Sequence, residues 1–230
     1  MSDIGPILDD LDRALDRFGE QTSNVTGTLR INASDTAARI LMQQAVPTFL
    51  ARHVRAGIEL NVERGFVDII KRGFDAGVRF TRSVPQDMIA VPFGEPVRFV
   101  TVAAPSYLEQ HGCPMAPEDL MRHQCIRQRM PSGRIYRWDF CKDGDDFAVD
   151  VPGALMLNHN ELMVEAAVAS LGIAYLPENS ARAMVDARKL TVVLDDWSPE
   201  PSRLCLYYAG HRYVPAGLRA FIDILRRLSS

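Results

Sequence analysis

The sequence is poor in the residues that announce a metal site, a membrane span or a polyanion grip. Its four cysteines, Cys113, Cys125, Cys141 and Cys205, are scattered with no C-x-x-C pair and no Cys/His cluster. The ligand spacing of a zinc site is therefore missing, and bystander thiols in a reducing compartment are expected. No apolar run reaches the roughly eighteen residues a membrane helix needs. Positive charge is not in excess, because 26 Lys and Arg against 29 Asp and Glu leave a net charge of −3. Such a chain has no field with which to hold DNA by itself. Also absent are H-E-x-x-H, G-x-S-x-G and P-loop patterns, so no catalytic residue, metal or cofactor is assigned. The opening MSDIGPILDD has no basic stretch followed by an apolar run, and a cytoplasmic location is expected.

What remains is the composition of an ordinary soluble protein: 230 residues, 47% hydrophobic and 24% charged, enough for one large domain or two small ones. Residues 27–54 organise it. Leu29, Ile31 and Ala33 alternate with Thr28, Arg30 and Asn32, the period of a strand with one buried face. Leu41, Met42, Ala45, Phe49 and Leu50 then recur at helical spacing as one apolar stripe. Between them, Ser34, Asp35 and Thr36 are N-cap residues, whose oxygens accept free backbone N–H groups. A strand running through such a turn into a helix aims unpaired amides at one point, which suits a carboxylate or other small anion. A plain structural cap is the alternative.

Before that stretch, residues 3–20 read as a helix with Ile4, Ile7, Leu8, Leu11, Leu15 and Phe18 on a narrow seam of the kind that pairs with another helix. After it, Pro47 should split the helical pattern. Strands follow at 58–62 and 76–80, with a short helix at 67–72 between them, an order that argues for a parallel sheet covered on both faces. Two extended segments, 88–93 and 97–104, are separated by Gly94-Glu95-Pro96. Short helices start at Pro105 and Pro117, a strand is expected at 124–129, and Asp143-Gly144 should close a hairpin between 134–142 and 145–151. A strand at 154–157 then leads to Asn158-His159-Asn160, a polar turn able to cap a helix over 161–171. That helix carries Leu162, Met163, Ala166 and Ala167 inward, with Gly172 as its C′ residue. Strands at 173–176, 190–194 and 204–209 and helices at 178–187 and 215–228 complete the chain. The last helix shows an apolar stripe of Leu218, Phe221, Ile222, Leu225 and Leu228. Two α/β units with capped helices suggest two lobes with a cleft, where ligand pockets concentrate.

These residues resemble the effector-binding domain of LysR-type transcriptional regulators. The match runs in order from Gly27-Thr-Leu-Arg-Ile through Pro47 and Phe49, 67–70 (VDII), Gly73-Phe74-Asp75, 104–108 (APSYL), 117–120 (PEDL) and Cys125. It continues through Trp138-Asp139-Phe140, Val151-Pro152-Gly153, 172–177 (GIAYLP) and 219–222 (RAFI). The resemblance implies a periplasmic-binding-protein-like type II fold, α/β and two-lobed. Lobe I would be 25–100 plus 205–230, and lobe II 101–204, with crossing strands near Thr101 and Arg203 as the hinge. Residues 1–24 would be the end of the linker helix and a linker. Full-length members begin with a winged helix-turn-helix, and none is seen here, so a fragment is expected that reaches DNA only through that missing domain.

The same resemblance places a small-molecule effector, an organic acid or amino-acid-like compound, in the cleft, and implies a homodimer or tetramer. The candidate ligand-binding residues are Ser34, Asp35 and Thr36 in the first lobe and Asn158 and His159 in the second. Phe66, Arg79, Val102 and Gln128 join them. Asp35 would repel an anionic effector unless it points away or pairs with arginine, and an amine-bearing effector would suit it better. Arg79 can pair with Asp35 or with an effector carboxylate. Arg127, Arg129 and Arg134 read as solvated. Two other classes compete: a free-standing solute-binding protein of the same fold, and an enzyme acting on a small organic acid.

Overall fold

The computed structural model of the chain describes residues 25–63, 65, 67–210 and 213–228. The helix expected over 3–20, with its seam, lies outside the described residues, and so does Phe66. The chain falls into two compact units, one built from residues up to Glu95 and from Arg203 onward, the other from Pro96–Ser202.

The first unit opens with β1 (Thr26–Ala33), α1 (Asp35–Gln44), α2 (Val46–Arg52), β2 (Arg55–Val62) and β3 (Ala76–Phe80). β1 pairs in parallel with β2, Ile31 opposite Leu60, and with β3, Ala33 opposite Val78. β4 (Met88–Val97) and β12 (Ser202–Ala209) complete the sheet in the order β2-β1-β3-β12-β4. β12 runs antiparallel to β3, so the sheet is mixed rather than parallel throughout. The last helix of the chain, α6 (Ala216–Arg227), also belongs to this unit. One sheet face, with Leu29, Ile31, Val78 and Leu206, packs on Leu41, Phe49, Leu218, Phe221 and Leu225 from the helices. Each such side chain contributes about 1.5–3 kcal/mol by leaving water. The opposite face carries a smaller cluster of Val67, Ile69, Phe74 and Tyr207.

Several local expectations change here. Pro47 does split the helix, sitting in the first turn of α2. The buried stripe is narrower than expected: Leu41, Ala45 and Phe49, four apart, are buried, while Met42 and Leu50, expected inside, are exposed. Residues 67–72 form turns rather than a helix, tied by Asp68 Oδ1 accepting from Lys71 N and by Phe74 N donating to Ile69 O. Six residues are too few to offset helix nucleation. β4 runs unbroken through Gly94-Glu95-Pro96, because an edge strand tolerates proline.

In the second unit, β5 (Phe99–Ala103) leads to α3 (Pro105–His111), a 3-10 turn (Pro117–Arg122) and β6 (Cys125–Gln128). β7 (Trp138–Lys142) and β8 (Asp145–Val149) form the expected hairpin, with Asp143 and Gly144 both at positive φ, 51° and 89°, as a type I′ turn requires. β9 (Met156–Leu157), α4 (Asn160–Val168), β10 (Ile173–Pro177), α5 (Glu178–Asp186) and β11 (Thr191–Val193) follow. The sheet order is β11-β5-β10-β6-β9. Its core gathers rings around Tyr175, with Phe99, Trp138 and Phe140 at centroid distances of 5.4, 5.6 and 6.0 Å.

α4 ends earlier than its pattern predicts. Ser170 takes the left-handed position at φ 60°, and Ser170 N and Leu171 N donate to Ala167 O and Ala166 O. That is a Schellman close with serine where glycine is usual. Gly172 serves a different purpose, since a Cβ there would stand 2.4 Å from Gln124 O. Leu162, expected inward, is 47% exposed, and Met163, Val164, Ala166 and Ala167 face the core.

Candidate functional site

In α/β sheets, ligands gather beyond the carboxyl ends of parallel strands. In the first unit that edge carries Ser34, Asp35 and Thr36. Ser34 is the N-cap of α1, its Oγ accepting from Ala37 N at 3.4 Å and its own N–H donating to Val78 O at 3.4 Å. Thr36 is buried. Asp35 is ion-paired with Arg39 one turn on, 3.9 Å from Nε, the favourable i, i+4 geometry.

Arg79, on β3 beside this turn, is only 6% exposed. Its Nη2 donates to Asn32 Oδ1 at 2.6 Å, Gly65 O at 2.9 Å and Glu63 O at 3.1 Å. Its Nη1 donates to Val78 O at 2.7 Å and Asn32 O at 3.4 Å. Burial holds this guanidinium below its usual pKa, partly offset by Tyr207 and Glu63, and burial also pushes the Tyr207 phenol up. Sequence reasoning missed Asn32. Alternation assigns it to the face opposite Ile31, yet it is fully buried, and its amide also donates to Asn61 Oδ1 at 3.4 Å. An asparagine in each of two strands is the available signal, but only their register sets them side by side.

In the second unit the parallel strands β6 and β9 end together, Gln128 opposite Leu157, which brings Gln128 to the edge where Asn158 and His159 leave β9. Asn158 is exposed. His159 is the N-cap of α4 but makes no capping bond with its side chain. Its Nδ1 is buried without a hydrogen-bond partner among the described residues, a condition that costs free energy unless something else satisfies it. Val102 is fully buried in β5, opposite Ala174 and Val192. Arg127, expected in solvent, is largely covered and paired with Asp150 at 2.6 Å. Among the described residues no cluster of His, Cys, Asp or Glu is arranged to hold a metal, and no helix is long and apolar enough to cross a membrane.

Comparison with known proteins bears on the family and the fold. The family model for the LysR substrate binding domain matches residues 22–230. The HTH-type transcriptional regulator YcaN of Escherichia coli K12 is 36% identical over 223 residues, 97% of this chain and 73% of that protein. The regulator PgrR of the same organism is 33% identical over 227 residues, 98% of this chain and 76% of its own. Among solved structures, the full-length virulence activator AphB of Vibrio cholerae superposes with a TM-score of 0.78 at 23% identity, covering 98% of this chain and 76% of AphB. The regulatory domain of CrgA from Neisseria meningitidis gives 0.74 at 21%, covering 90% of this chain and all of that domain. These relatives are transcriptional regulators, not enzymes. With a family model spanning both units and curated relatives matched over nearly the whole chain, this protein belongs to the LysR-type transcriptional regulators and carries their effector-binding domain.

Proposed function

We propose that the effector is a small organic acid or amino-acid-like molecule that contacts the Ser34–Thr36 turn of the first unit, and that Asn158 and His159 are the ligand-contact candidates of the second. The observation that carries this reading is the capped start of α1 at the carboxyl end of β1, with the Asp35 charge drawn toward Arg39. That pairing reduces the repulsion Asp35 would exert on an acid, and the first amides of α1 favour one. Signalling then requires that the effector bind two states of the protein with different affinity. The protein acts in the cytoplasm as a homodimer or tetramer. Exposed Met42, Leu50 and Val54, the last 84% accessible, support association. Contact with DNA belongs to the winged helix-turn-helix of the family.

A thermal-shift panel of aromatic acids, dicarboxylates and amino acids tests the reading. A compound present at a hundredfold its Kd stabilises the fold by about 2.7 kcal/mol. We expect one class to do so, and Ser34→Ala or Asn158→Ala to weaken its binding at least tenfold. A compound that stabilises both variants as strongly as the parent overturns the site. Light scattering tests association, and a strict monomer at high concentration counts against it.

A further inference from the structure

We propose that Arg79 is a positioning residue rather than an effector contact: its guanidinium staples the end of β1 to the segment after β2 and so sets the turn at Ser34. The inference deepens the reading above and rests on it for its functional meaning. Four observations converge. The guanidinium is buried, and its five contacts are all to neutral oxygens: Asn32 Oδ1 and the carbonyls of Asn32, Glu63, Gly65 and Val78. The Glu63 carboxylate is engaged elsewhere, by Arg72 Nη1 at 2.8 Å. Glu63 N donates to Ala33 O at 2.9 Å, so this segment is tied to β1 through its N–H and to Arg79 of β3 through its C=O. Finally, Val78 O accepts from both Arg79 Nη1 and Ser34 N, so the candidate cap and the clamp share one acceptor.

A planar fork with fixed donors can hold carbonyls from three chain segments at once; a lysine ammonium, a point charge on a flexible stem, cannot. With its donors engaged by the protein, Arg79 keeps only Nε–H without a partner among the described residues, and that atom is itself buried. Its contribution to ligand binding is thus the geometry of the wall, not a charge offered to the ligand.

The test uses the full chain without any ligand, so its outcome is separate from whether Ser34 binds an effector. In nitrogen-15 NMR, the Arg79 Nη protons are expected as separate, slowly exchanging signals. They should merge in Asn32→Ala, which keeps the charge but removes the shortest acceptor. Amide hydrogen exchange at Ser34, Thr36, Glu63 and Gly65 should accelerate at least tenfold in Asn32→Ala and in Arg79→Lys, with α6 and the second unit unchanged. Full protection in Arg79→Lys shows that charge alone suffices and overturns the proposal. So does unaltered exchange in Asn32→Ala, the variant that remains informative if Arg79→Lys fails to fold.

Discussion

Tyr207 fills the space that any side chain at position 77 would need. A Cβ built on Gly77 would stand 2.3 Å from the Tyr207 Cζ and 2.5 Å from its hydroxyl oxygen. Tyr207 is fully buried opposite Gly77 across β3 and β12, so the ring has no solvent to swing into. Gly77→Ala is expected to cost about 3 kcal/mol or more by overpacking. Tyr207→Phe should be neutral or slightly stabilising, because the hydroxyl is buried without a partner among the described residues. Urea denaturation followed by circular dichroism measures both. A Gly77→Ala protein as stable as the parent would show that the two strands separate easily.

Gly172 is expected to be equally intolerant, for a backbone reason. Its φ is 151°, and an added Cβ would lie 2.4 Å from Gln124 O, the carbonyl that accepts Ile173 N. Gly172→Ala should lose about 3 kcal/mol or more, since the clash is with backbone that cannot rotate away. Gly133→Ala is the control. It has φ 84° but no atom within 4 Å of its Cβ, so only about 1 kcal/mol of left-handed strain applies. Both tryptophans, Trp138 and Trp197, lie in this unit, and their fluorescence in urea reports the two variants directly.

Acid should loosen the second unit through His123. Burial, with the nearby His111 adding to it, pulls the His123 imidazole below its ordinary value of 6.5, and Asp119 opposes the shift. The unfolded chain thus takes up a proton near pH 6.5 while the folded one resists. The stabilisation is fully present above 6.5 and is lost as the pH falls from there through the folded value. Asp119 acts in a lower window: N–H groups of Met115 and Ala116 hold its carboxyl below 3.8. Urea midpoints measured from pH 7.5 to 5 should therefore fall, and His123→Gln should flatten that slope. An unchanged slope would assign the acid sensitivity to another group.

Thiol reagents should separate the cysteines by burial. Cys113 is exposed, whereas Cys125 and Cys205 are buried. Burial pushes the Cys125 thiol up to about 12, leaving about one part in ten thousand as thiolate at pH 8. The Cys205 sulfur lies 3.1 Å from Thr81 Oγ1. Labelling of the native protein at pH 8 should proceed first at Cys113 and reach Cys125 and Cys205 only on unfolding. Early modification of Cys125 would reveal opening of the core around β6.

Much of this molecule is decided by short-range rules that a single sequence carries. Alternation marks β1, the stripe of Leu218, Phe221, Ile222 and Leu225 marks α6, Asp143-Gly144 marks a hairpin, and Ser34 marks a helix start. Each depends on neighbours within a turn or two, where backbone geometry fixes which residues share a face. Whether a given face is covered is a different matter. Met42, Leu50 and Leu162 sit at helical spacing yet stay in water, each beside a buried neighbour, Leu41, Phe49 or Met163, that takes the covered side of the helix. Arg79 and Asn32 stand 47 residues apart and are brought together by the parallel pairing of β1 with β3. Strand register, the approach of Tyr207 to Gly77 and the burial of a guanidinium among carbonyls arise from long-range pairing, which local preference does not encode.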